Sequence, residues 1–151
     1  MTPAIGRVFR LEDAKHGRLL DRDEIALLAR VSRTVPAGQL VVDNPWNGTS
    51  LAWAVGGRQT LFPHFGGYWG KDRKLIAAHL DAYRSQPAVC AAVHKLKLHW
   101  VVADPQRLKG FRKEAHAFRG VDRTVRGPGV TKVHAVGSTA LYRLDACWTK
   151  F

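Results

Sequence analysis

The feature that most constrains this chain is the run "QLVVD", residues 39–43, in which Leu40, Val41 and Val42 follow one another without a polar break. Side chains along a strand alternate between the two faces of its sheet, so an unbroken apolar run needs cover on both sides. Two further apolar runs, "QTLF" (59–62) and "LHWVVAD" (98–104), read as companion strands, and Pro63 ends the first of them.

Helical patterns fill the intervals. In "DRDEIALLARVSRTV" (21–35), Asp21 or Asp23 can cap the start and acids occupy the first turn. Ile25, Leu28 and Val31 line one face, and Pro36-Ala37-Gly38 stops the helix. "TSLAWAVGG" (49–57) reads as a short helix closed by Gly56-Gly57. "RKLIAAHLDAYR" (73–84) carries Ile76, His79, Leu80 and Tyr83 on one stripe, and "QPAVCAAVHKLK" (86–97) places Pro87 near its first turn, where proline is tolerated. Two β-rich runs around Gly137-Ser138 close the chain as a hairpin. The expected class is α/β: a small, mostly parallel sheet (39–43, 59–62, 98–103) flanked by helices, with a C-terminal β-hairpin over 131–146. Residues 1–20 read as a loosely ordered lead-in and 21–151 as a single α/β domain.

Charge narrows the partners. Against 12 acids stand 24 lysines and arginines, a formal net charge of +12 with a pI near 10.4. Such a balance attracts polyanions: nucleic acid, anionic lipid headgroups, phosphorylated glycans. Much of it falls between Gln106 and Lys132, with 8 basic residues and 2 acids, and with Phe111 and Phe118 interleaved. No RNP, KH, zinc-finger or helix-turn-helix signature accompanies it, so it reads as a solvated basic loop. No apolar run reaches the roughly 18 residues of a membrane span, and the first residues lack the apolar core of a signal peptide.

Parallel α/β sheets gather ligands beyond the carboxyl ends of their strands. Three loops are expected there: "NPWNG" after 39–43, "PHFGGYWG" after 59–62, and "DPQRLKGFRK" after 98–103. They supply aromatic faces (Trp46, Phe65, Tyr68, Trp69, Phe111), amides (Asn44, Asn47), His64, and cations (Arg107, Lys109, Arg112, Lys113). Rings stack on sugars or bases, amides bond hydroxyls, and cations bond phosphate. Backbone N–H groups opening the helix at Thr49 add an anion-binding element. The expected ligand-binding set is Asn44, Trp46, Asn47, Thr49, His64, Tyr68, Trp69, Arg107 and Lys109.

Catalytic signatures are missing: there is no GxSxG, HExxH, P-loop or GxGxxG. Asp43 and Asp104 each end a strand and can bring two carboxylates together, although such residues more often cap loops or pair with arginine. The seven histidines (16, 64, 79, 94, 99, 116, 134) include no i, i+4 pair, so neither a metal site nor a cofactor is expected. Asn47-Gly48-Thr49 is formally a glycosylation sequon, but a loop-to-helix turn prefers the same residues. Cys90 and Cys147 fit no CxxC pattern; they are two buried thiols or one bridge.

Taken together, "NPWNGTSLAWAVGGRQTLFPHFGGYW", "LIAAHLDAYRSQPAVCAAVHKLKLHWVVAD", "FRGVD" and "ALYRLDAC" resemble the C-terminal soluble region of a family of actinobacterial multi-span membrane proteins. That family is of unknown function and has a GT-C glycosyltransferase-like membrane architecture. The resemblance runs from about Asp21 to Cys147. It implies an extracytoplasmic α/β domain standing on a membrane bundle, an outward-facing NPW-type loop, and a disulfide between Cys90 and Cys147. The bundle itself is not in this sequence, and the stretch after Asp104 is more basic than the family pattern.

Three functions follow as expectations. The first is a non-catalytic accessory or binding domain, related to a membrane glycan-handling protein and contacting a sugar or an anionic lipid-linked ligand, with a membrane protein as partner. The second is a nucleic-acid or polyanion-binding module. The third is a fragment of a membrane glycosyltransferase that needs its transmembrane bundle, so that the chain alone is not an enzyme. The resemblance points to the extracytoplasmic face, whereas a stand-alone product without a signal peptide would be cytoplasmic.

Overall fold

A computed structural model describes residues 21–47, 52–64, 67–105 and 111–147. The expected lead-in over 1–20 lies outside them. The elements are α1 (Arg22–Thr34), β1 (Val41–Val42), a 3-10 turn (Pro45–Asn47), α2 (Ala52–Gly56) and α3 (Lys71–His79), which runs on into a second 3-10 turn (Leu80–Ala82). Then come α4 (Pro87–Lys95), β2 (Trp100–Ala103), α5 (Arg112–His116), α6 (Arg119–Thr124), β3 (Val130–Val136) and β4 (Thr139–Leu144).

The strands form one sheet in the order β1-β2-β4-β3. β1 runs parallel to β2, with Val41 opposite Trp100 and Val42 opposite Val101. The 59–62 run joins on the other side of β1 as a parallel bridge between Val41 and Thr60, tied by Val41 N–H to Gln59 O and Leu61 N–H to Val41 O, both 2.9 Å. The expected parallel core is therefore present, but the sheet as a whole is mostly antiparallel. The hairpin adds to one side of that core, as expected: β4 pairs antiparallel with β2 at its edge, and β3 pairs antiparallel with β4. Seven- and six-residue hairpin strands outweigh a two-residue β1. Gly137 turns the hairpin at φ 60°, a conformation that glycine adopts without steric cost.

The unbroken valines are explained by cover on both faces. Val41, Trp100, Val102 and Leu141 face α1, where Leu27, Leu28, Val31 and Val35 form the opposing stripe. Val42, Val101 and Leu144 face the other way, onto Ile76, Leu80, Tyr83, Val89, Val93, Phe118 and Val121. Residues paired across strands share a face, and the register obeys this: Leu141 lies opposite Val102, and Tyr142 opposite Val101. Trp100 turns its indole N–H to Gln39 Oε1 at 2.7 Å, so its polar atom is satisfied at the sheet margin.

Two readings of the sequence change. The stripe of α3 keeps Ile76, Leu80 and Tyr83 in the core, but His79 is exposed. The basic stretch after Asp104 is not simply a solvated loop: α5 and α6 turn Ala115, Phe118, Val121 and Thr124 inward while their cations stay outside. Gly120 makes this possible, because a Cβ there would collide with the backbone of Ala78, His79 and Leu80. Phe118 meets Phe62 edge-on at 4.9 Å.

The disulfide between Cys90 and Cys147 is present, with the Cα atoms 5.9 Å apart. It ties the first turn of α4 to the segment leaving β4. Nearby, the Tyr83 hydroxyl bonds Gly129 O and reaches Asp145 O at 3.0 Å. Burial, and then the Asp145 carboxylate, hold that phenol above its usual range. Among the described residues, no helix is long and apolar enough to cross a membrane.

Candidate functional site

β1 and β2 both end in an aspartate, and the two ends lie side by side because the strands are parallel neighbours. Asp43 and Asp104 are buried there, together with Asn44 and Asn47. The Pro45–Asn47 turn folds over them. Asn44 Oδ1 accepts the Trp46 N–H at 3.1 Å, closing the turn locally. Its amide donates outward to Ala115 O at 3.2 Å and Asp122 Oδ2 at 3.0 Å, joining the turn to α5 and α6. Asn47 donates to Asp104 O at 3.2 Å, joining the same turn to the end of β2. Both amides expected to meet a ligand thus hold the turn from beneath.

Trp46 rides on top, half-buried. One side packs against the core and the ring stacks on Phe111 at 4.8 Å, the planes inclined by 23°. The first and third loops therefore converge as the sequence suggests. Phe111 is 42% exposed, which leaves an accessible aromatic surface at this end of the sheet. At the same end of the sheet lies a small recess of about 160 Å³ whose lining includes Asp104, Pro105, Asp122, Arg126, Ser138 and Tyr142. The outward cations of α5, Arg112 and Lys113, are exposed.

The second loop belongs with α3. Tyr68 is 91% exposed, with Lys74 Nζ 5.1 Å from its ring centre. Trp69 is half-buried, edge-on to Phe62 at 5.3 Å, with the Arg73 guanidinium 5.9 Å from its ring. His64 is exposed. Thr49, Phe65, Arg107 and Lys109 lie outside the described residues.

Sequence reasoning missed a group of acids at this end of the sheet. The Asp21 side chain accepts from Glu24 N–H and Glu24 Oε2 accepts from Asp21 N–H, each at 2.8 Å, a reciprocal cap on α1. The Asp21-x-x-Glu24 spacing announces that cap. Nothing in the sequence announces that Asp104 joins it: carboxylate oxygens of Asp21, Glu24 and Asp104 lie within 4.8 Å of one another, all three residues buried. Asp104 also accepts from the hydroxyls of Ser138, at 3.3 Å, and Thr139, at the hairpin turn. Burial first, and the neighbouring Asp104 and Asp21 charges after it, push the Glu24 carboxyl up to about 8, while the Asp21 N–H bond pulls it down.

Fold and site together define an α/β domain: a four-stranded sheet between helical layers, with polar and aromatic residues gathered at the carboxyl ends of its parallel strands. Among solved structures, one with the same fold is the C-terminal globular domain of an oligosaccharyltransferase from Archaeoglobus fulgidus. It is 11% identical, and the match covers 83% of this chain and 99% of that one, with a TM-score of 0.56. Residues 1–146 match DUF6541, a family of unknown function, and the chain belongs to that family. No curated protein matches its sequence.

Proposed function

We propose that this is a non-catalytic accessory domain of a membrane glycan-handling protein, facing the extracytoplasmic side and contacting a sugar or an anionic lipid-linked ligand. The observation that carries the reading is the Trp46–Phe111 stack. It is a preformed, partly exposed aromatic platform at the same end of the sheet as a recess bearing carboxylates, hydroxyls and Arg126. The Trp46 turn is tied to that recess through Asn44–Asp122 and Asn47–Asp104. Sugars use the flat apolar faces of their rings against aromatic side chains and their hydroxyls against such polar groups. The exposed cations Arg112 and Lys113 on the adjoining α5 suit a phosphate on a lipid carrier. Two further observations support the setting. The neighbouring fold is a domain of an oligosaccharyltransferase, and the Cys90–Cys147 bridge persists in oxidising compartments. A membrane protein is then the natural partner, supplying what a soluble domain lacks. The loop leading into α3, with exposed His64 and Tyr68 and half-buried Trp69, is also available to that partner.

The experiment is binding of soluble oligosaccharides and of a polyprenyl-phosphate-linked sugar in nanodiscs, followed by intrinsic tryptophan fluorescence. Trp46→Ala should weaken binding about ten-fold or more, the scale of one lost stacking contact. Because one side of the ring packs on the core, it should also lower Tm, so binding is compared well below both transitions. Binding untouched by Trp46→Ala would remove the platform from the reading. The basic surface also permits a polyanion-binding module. Nucleic-acid binding that persists near physiological salt, with no response to sugars, would favour it.

A further inference from the structure

We infer that Asp21, Glu24 and Asp104 form a calcium site that clamps the N-terminus of α1 to the end of β2 and to the β3–β4 turn. Three carboxylates within 4.8 Å of one another would not by themselves make a site. The second observation is Glu24, which is 2% exposed and whose Oε1 accepts from no N–H or hydroxyl, its carboxyl lying against that of Asp104 while Oε2 serves the cap. Leaving a carboxylate oxygen dry and unpaired costs several kcal/mol, so the native protein is expected to offer it something to bind.

The chemistry selects the occupant. The donors are all oxygen, which suits a hard cation, and the Thr139 and Ser138 hydroxyls stand against the same Asp104 carboxylate. Two oxygens on one ion can be no further apart than twice the metal–oxygen distance. That limit is roughly 4.6–5.2 Å for calcium and about 4.2 Å for magnesium. Oxygens that all lie within 4.8 Å of one another fall inside the calcium range. Magnesium keeps several waters and is seldom held by a dedicated all-protein cage, so it suits the buried cluster less well. Three carboxylates and water complete a coordination sphere without histidine, which is why a search for histidine spacing finds nothing here. The inference stands apart from the glycan reading: it concerns how the domain is held together, and a domain that binds no sugar could still hold the ion.

The test uses the full chain, stripped with chelator, and calcium chloride as the probe. Thermal unfolding should show Tm rising roughly 3–8 °C at about 10 mM calcium, with a smaller rise in magnesium, if the affinity lies in the range of extracellular modules. Calorimetric titration should give one site. Glu24→Gln keeps an oxygen for the Asp21 N–H and replaces the dry oxygen with a donor, so it should fold in the absence of calcium. It should also lose at least ten-fold in calcium affinity. Asp104→Asn should lose affinity likewise. A Tm indifferent to calcium in the wild type overturns the inference, and so does a full calcium response retained by Glu24→Gln. A cluster that responds to pH alone holds a shared proton instead, and that outcome also rejects the ion.

Discussion

The two ends of the sheet are closed by opposite means. Where β2 begins and β4 finishes, closure is covalent and largely apolar: Cys90 is bonded to Cys147, with Val89, Val93 and Leu144 packed in the same cluster. Where β2 finishes and β4 begins, closure is polar. Buried Asp43, Asn44, Asn47, Asp104 and Glu24 gather there, and the amides of Asn44 and Asn47 span more than 50 residues of sequence to reach their partners. A bridge fixes one end whatever the solvent. The other end depends on hydrogen-bond partners and on charge, so it is the end at which pH, ions or a ligand can act. The comparison gives each end a different expected response.

The largest response belongs to the bridge. Closing a loop of 57 residues removes about 4 kcal/mol of chain entropy from the unfolded state. Replacing Cys90 and Cys147 by serine should therefore lower stability by about that amount, measured by urea unfolding against the oxidised protein. A loss below about 1 kcal/mol would show that apolar packing alone closes this end, and the contrast between the ends would fail.

The next response has the opposite sign. The Glu24 carboxyl titrates near 8 in the folded protein against an ordinary value of 4.5. Between those values the native state binds a proton that the unfolded state has released. Stability then falls as pH rises from about 4.5 to about 8, and Glu24 contributes most below that window. In chelator-containing buffer, Glu24→Gln should flatten this slope and exceed the wild type in Tm at pH 8. The disulfide end should show no such slope.

These ends were unequally legible in the sequence. The valine run, the helix stops and the Gly137 hairpin each depend on neighbours within a few residues, so the elements could be read directly. Which edge of the parallel core the hairpin joins could not: pairing β4 with β2 is a choice among long-range pairings that local pattern does not encode, and the added strands make the sheet mostly antiparallel. In the 112–124 segment, cations on the outer face masked the Ala115, Phe118 and Val121 stripe. The aromatic convergence of Trp46 and Phe111 followed from the rule about strand ends. The Asp21–Glu24–Asp104 cluster did not, since its members meet only after α1 docks on the end of β2.

Asn44→Ala probes the polar closure more locally. It removes two donated bonds and leaves the buried Ala115 carbonyl without that donor, a loss of about 1–3 kcal/mol by unfolding titration. Hydrogen exchange should rise in α5 and α6 while α4 stays protected. Equal loosening of α4 would mean that the two ends unfold as one unit and that the contrast is only geometric.

The smallest effect tests the covalent end. Lys95 Nζ lies 2.6 Å from Asp72 Oδ2, joining the last turn of α4 to the first turn of α3, and the lysine side chain is 73% exposed. Each charge already suits its own helix terminus, acid at the start and base at the end. Solvent screens the pair, and holding a long lysine in one rotamer costs entropy that offsets much of the attraction. Lys95→Ala should therefore destabilise by less than about 1 kcal/mol, and 1 M sodium chloride should reproduce most of that loss in the wild type. If the substitution cost as much as Asn44→Ala, this end would depend on charge as the other does. Its indifference to solvent would then rest on the disulfide alone, and reduction should expose a salt dependence that the oxidised protein conceals.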